Sequence, residues 1–153
     1  MARANAKIGV DASPVSRPFW RARTRSPLVL AAETDDPAAV AAALDAAAGG
    51  GPAAPGAADA RGPYGLTPLM RAAQKGSARA LEALLARGAS ADATDDAGNT
   101  ALMYAAARGR RACAEKLLAA GASVSHRNKF GLGPVDWAVW PADGDDVRDL
   151  VRD

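Results

Sequence analysis

The 153-residue sequence predicts an all-α fold of stacked helix pairs, and three observations carry that prediction. Alanine fills 41 positions, and alanine both favours helix and lets helices approach closely. Aromatic residues number seven (three Trp, two Tyr, two Phe), and β-branched residues are sparse, which disfavours a sandwich or barrel. Third, the chain repeats itself at an offset of 33: Gly65 to Gly76 recurs as Gly98 to Gly109, and Leu84 to Ser90 recurs as Leu117 to Ser123.

Each copy reads as helix, turn, helix and projecting turn. Thr67 or Thr100 stands before a short apolar stretch, where its hydroxyl can accept from backbone N–H groups and cap a helix. Pro68 takes the first helical position, where its missing donor is harmless. Gly76 and Gly109 end that helix, because the reversal calls for positive φ. A second helix then sets Leu81, Leu84 and Leu85 on one stripe, and likewise Ala114, Leu117 and Leu118. Gly88 and Gly121 close it, and Asp92 to Gly98 is turn chemistry.

Two degenerate copies flank this pair. Pro134 to Ala138 overlays Pro68 to Ala72, and Val147, Leu150 and Val151 fall on Leu81, Leu84 and Leu85. At the other end, Ser26 to Ala32 matches Thr67 to Ala73 at an offset of 41, with Val40 and Leu44 on Leu81 and Leu85. The eight extra residues are the loop Gly49 to Gly56, and register returns at Asp59, which aligns with Asp92.

The sequence here resembles the ankyrin repeat family, through Gly65-x-Thr67-Pro68-Leu69, Ala72-Ala73, Leu84-Leu85 and Gly88-Ala89 and their partners one period on. The resemblance implies an ankyrin-type solenoid of about three and a half to four repeats, with β-turn fingers on one side. The expected organisation is a basic, extended or disordered arm over 1–25 and a repeat domain over 26–153. That domain divides into a degenerate first repeat with its loop (26–64), two regular repeats (65–97 and 98–130) and a truncated capping repeat (131–153). The family's motif histidine is replaced by Met70, Met103 and Asp136, so its hydrogen-bond network is expected to be missing. Gly133 stands where the motif threonine should cap, and Pro141-Ala142 replaces Lys75-Gly76.

Charge separates the two parts. The formal net charge is +2, yet residues 1–26 hold six basic residues against Asp11, and the remainder holds 13 basic against 16 acidic. The richest alanine stretch, Pro37 to Ala48, carries Asp45, so no membrane span is expected, and no secretory signal opens the chain. A lone Cys113 excludes an intramolecular disulfide framework and suits a reducing, intracellular compartment, the cytoplasm first. It holds a core aliphatic position, so it reads as core and not as a reactive thiol.

An enzyme lacks its parts here. No serine or cysteine nucleophile has a histidine to serve it, and no Gly-rich phosphate loop precedes a Lys-Ser/Thr pair. The run Asp92 to Met103 resembles a calcium loop, but its glycine comes one place late and Met103 replaces the bidentate glutamate. His126, with no second histidine or cysteine beside it, reads as a turn-stabilising residue. No cofactor and no metal are implied.

The resemblance implies a non-catalytic interaction module, a small adaptor or accessory subunit, whose unidentified protein partner meets the finger tips and inner first helices. Carried over position by position, the tips are Arg61 to Tyr64, Thr94 to Ala97 (with Asp95 and Asp96) and Arg127 to Phe130 (with Lys129). The inner columns are Met70–Met103–Asp136, Arg71–Tyr104–Trp137, Gln74–Ala107–Trp140 and Lys75–Arg108. Tyr and Trp dominate many interfaces, which marks Tyr104, Trp137 and Trp140 as contact residues. Trp137 and Trp140 equally suit a seal over the end of a small core, whereas Tyr104, Met103 and Arg108 read as surface. Ser13 to Pro27, with Phe19-Trp20, admits three readings: an unstructured tail, a docking arm anchored by the aromatic pair, or an organelle-targeting segment. As a docking arm it would also suit nucleic acid or a ribonucleoprotein, the alternative function.

Overall fold

The computed structural model describes residues 26–47, 56–138 and 148–152. Its helices come in pairs: α1 (Pro27–Glu33) with α2 (Pro37–Ala47), α3 (Pro68–Lys75) with α4 (Ala78–Ala86), α5 (Ala101–Ala107) with α6 (Arg111–Ala119), and α7 (Pro134–Trp137) with α8 (Arg148–Val151). No strand occurs among the described residues. First helices α1, α3, α5 and α7 pack in one row, while α2, α4 and α6 pack in a second row behind them.

Local chemistry starts and stops these helices as the repeat demands. Ser26, Thr67 and Thr100 accept through their hydroxyls from Val29, Met70 and Met103 N–H, so each caps its first helix. In the last copy Gly133 has no hydroxyl, and the cap is made from inside the helix. The Asp136 carboxylate accepts from Gly133 N–H at 2.7 Å and from the Arg127 guanidinium at 2.8 Å. After α3 the chain reverses through Gly76 at φ 85°. Asp35 holds the matching place after α1 at φ 56°, a conformation that Asp tolerates better than most residues.

That left-handed Asp35 also joins two repeats. Its carboxylate accepts from Arg79 and Ala80 N–H, capping α4, whose own Ser77 makes no side-chain cap. Ser77 instead donates its hydroxyl to the Glu33 carbonyl.

Between the two rows lies the core. Val40, Leu44, Leu69, Leu81, Leu84, Leu102, Leu117 and Val151 are fully buried, each worth about 2 kcal/mol on transfer from water. Ala72, Ala73, Ala105, Ala106 and Ala138 are buried between them and let the helices close up. Cys113 is buried in the same core, and burial pushes its thiol up to about 11.

The projecting turns are linked by a ladder that keeps the 33-residue register. Within each turn Gly62, Asp95 and Asn128 N–H donate to the Leu66, Asn99 and Leu132 carbonyls. Between turns Asp96 N–H donates to the Tyr64 carbonyl, and Lys129 N–H to that of Ala97. Asp59 and Asp92, also one period apart, accept from Ser90 and Ser123 N–H.

Candidate protein-binding face

The structure corrects one column of the expected face. Met70 and Met103 are 1% and 0% exposed, sealed between neighbouring first helices, and present nothing to a partner. The Met70 sulfur lies 3.5 Å from Thr67 N–H, so a weak acceptor stands close to where a stronger polar group would bind. Asp136, third in that column, is exposed and serves the cap of α7.

Asp95 is corrected as well: at 8% exposure it braces its finger from within. One carboxylate oxygen accepts from Ala97 and Asn99 N–H, both at 2.9 Å. The other accepts from the Asn99 side-chain amide at 3.1 Å and from the Tyr104 hydroxyl. Asn99 in turn accepts from the Asn128 amide at 2.8 Å, so one chain of hydrogen bonds crosses from finger to finger. Burial alone would raise the Asp95 pKa, but the Tyr104 hydroxyl and the Asn99 and Ala97 donors outweigh it and hold the carboxyl below its ordinary value. For Tyr104, burial and then the Asp95 carboxylate push the phenol up to about 12.

Tyr104 is therefore half-buried, and its ring packs edge-on against Trp137 with centroids 6.0 Å apart. Trp137 rests against the core, which is the sealing arrangement, and its indole N–H has no acceptor among the described residues. Trp140, Phe19 and Trp20 lie outside the described residues.

The other positions are accessible. Arg71 is half-buried, donates to Gln74 Oε1 at 2.9 Å and sits 4.0 Å from Glu33. Arg108, Asp96 and Lys129 are exposed. Phe130 is 75% exposed at its finger tip. His126 makes a 3.0 Å hydrogen bond with the Gly98 carbonyl, which ties its finger to the preceding one.

Two residues placed on this face by the repeat, Tyr64 at a tip and Lys75 on an inner column, prove accessible, and a third, Arg110, was passed over. Tyr64 is 70% exposed and lies two periods before Phe130, so the register places both at the same point of their fingers. Lys75 and Arg110 join Arg71, Gln74 and Arg108 around a cavity of about 340 Å³. The signal for Arg110 was available: it stands one period after Ser77, a long cation in the place of a small residue.

Comparison with known proteins settles the classification. A family model described as three copies of ankyrin repeats matches residues 28–128. The chain belongs to the ankyrin repeat family. No curated protein matches it. The ankyrin repeats account for the helix pairs, the fingers and their spacing, and the family generally serves protein–protein interaction. No helix among the described residues is long and apolar enough to cross a membrane, and none of their His, Cys, Asp and Glu side chains form a group able to hold a metal ion.

Proposed function

We propose that this domain is a non-catalytic protein-binding module, a small intracellular adaptor or accessory subunit, which grips its partner with its finger tips and inner helices. The observation that carries the reading is the pair of aromatic tips, Tyr64 and Phe130, held out at 70% and 75% exposure by a ladder of backbone hydrogen bonds. Exposed aromatic rings on rigid supports are the side chains that supply most interface energy, because they bury a large area with little entropy to lose. Leu132 and Val135, also exposed, extend the apolar surface beyond Phe130.

The test is a double substitution, Tyr64→Ser with Phe130→Ser. Neither side chain is part of the core, so the helical spectrum and melting curve are expected to hold. Partner capture from the native source, quantified by mass spectrometry, is expected to fall by roughly thirtyfold, as for loss of about 2 kcal/mol at an interface centre. Undiminished capture would refute the reading. The alternative, nucleic-acid association through the arm, is supported by the basic excess of residues 1–26. It requires that the lost interaction be steeply salt-dependent and vanish on deleting residues 1–25.

A further inference from the structure

We propose that Arg71, Gln74, Lys75, Arg108 and Arg110 form a binding pocket for closely spaced carboxylates on an acidic segment of the partner protein. The occupant's identity as a polypeptide rests on the protein-binding reading above; the anion chemistry rests on the pocket alone.

The lining is made of donors. Four of its five side chains are cations, and they surround about 340 Å³ between first helix α3 and the turn that follows α5. The fifth, Gln74, has its carbonyl oxygen engaged by Arg71 at 2.9 Å, which leaves its amide N–H groups to donate. Like charges gathered in one concavity repel one another and attract a counter-charge.

Several cations elsewhere in the domain are paired with carboxylates, whereas, among the described residues, three of the four in the pocket are not. On the second helices, Arg111 and Lys116 pair with Glu115 and Glu82 at 3.0 and 2.8 Å. Arg87, at the end of α4, pairs with Asp45 at 3.0 Å. Within the pocket Glu33 approaches Arg71 at 4.0 Å, but among the described residues no carboxylate pairs with Lys75, Arg108 or Arg110.

Arg110 adds an independent observation in favour of an anion. Its Nε is buried and has no acceptor among the described residues. A buried donor left unpaired is costly, and an incoming anion would satisfy it. The side chain reaches this place because Gly76 leaves room: a Cβ there would stand 2.8 Å from Arg110 Cδ and 3.0 Å from Nε. Glycine at the turn therefore makes room for the arginine, one period after Ser77, that lines the cavity.

Size and shape select the ligand. The cavity exceeds what one carboxylate fills and sits at the lower end of ligand-pocket volumes. In an extended segment, acidic residues two apart point to the same side, so both can enter together.

The experiment uses the full chain and a fluorescein-labelled hexaglutamate peptide, titrated by anisotropy in about 0.15 M salt, where long-range attraction is screened. The Lys75→Glu, Arg108→Glu double variant is expected to weaken binding by roughly tenfold or more, as for loss of two charge contacts. Both side chains are exposed, and an unchanged melting curve certifies the fold. Arg79→Glu, an exposed change on α4 away from the pocket, is expected to leave affinity within about twofold. Deleting residues 1–25 is expected to cost less than the double variant. In nitrogen-15 spectra the Gln74 side-chain amide and Arg110 Nε–H resonances should shift on titration.

Binding that survives the double variant, or that is lost with residues 1–25, would overturn the proposal. Inorganic phosphate displacing the peptide at equal affinity would also overturn it, in favour of a small-anion pocket. Because these readouts need no natural partner, failure of the Tyr64 and Phe130 test would leave them interpretable.

Discussion

The copies at 65–97 and 98–130 share a backbone and differ in what their first helices do at one position. In α3 that position is Arg71, which turns sideways to Gln74 and Glu33 and lines a charged cavity. In α5 it is Tyr104, which turns back to Asp95 and forward to Trp137. Backbone ladders and threonine caps carry the register in both copies, so this side chain is free to specialise. The first copy presents a surface to solvent, and the second stiffens the finger beside it.

Substitutions can set these two regions against each other. The largest effects are expected in the shared core. Leu84→Ala and Leu117→Ala remove equivalent side chains, and each is expected to cost about 3 kcal/mol in urea unfolding. Similar losses in one sharp transition would mean the repeats unfold together; two separated transitions would mean that each stands alone.

Next comes the network that ties Asp95, in the finger closing the first copy, to Asn99 and Tyr104 of the second. Asp95→Ala frees four donors at once and is expected to cost about 2–3 kcal/mol. The sign of its pH dependence follows from the depressed pKa. The carboxylate stabilises the fold above the unfolded value near 3.8, and that contribution drains away as pH falls through the lower folded value. Asp95→Asn should therefore flatten the acid limb of the stability profile. Tyr104 acts at the opposite end: its raised pKa gives stability that is intact below the unfolded value of 10.0 and lost as pH climbs toward about 12. Tyr104→Phe should remove that alkaline loss.

The smallest contrast lies in the turns. Gly88→Ala meets open space at φ 87°, so only backbone strain opposes it, about 1 kcal/mol. Gly76→Ala carries the same strain at φ 85° and also pushes on Arg110, so it should cost more in thermal melts. It should also move the Arg110 Nε–H resonance, which Gly88→Ala should leave alone.

Much of this architecture was legible beforehand, because repeat positions, caps and turn glycines are local and recur at a fixed spacing. The Leu84 and Leu117 stripes and the hydroxyls of Thr67 and Thr100 needed no knowledge of the fold beyond one helix pair. What escaped depended on the neighbouring repeat. Met70 reads as a surface column until α5 is laid against α3 and covers it. Asp95 looks like an exposed turn acid until Tyr104 and Asn99 close over it. Arg110 looks like an ordinary helix-start residue until Gly76, one repeat earlier, makes space for its arm.

The ladder between fingers also limits how such a chain can change in length. Its donors and acceptors recur at a fixed interval, so a residue inserted within a finger, between Asp95 and Asn99 for instance, would misalign the pairing there. A gain of a whole 33-residue period would instead add another rung. The eight surplus residues of the first copy fall after α2 and ahead of Gly62, where the ladder begins. The fingers thus hold a fixed length, while the surplus of the first copy is carried outside them.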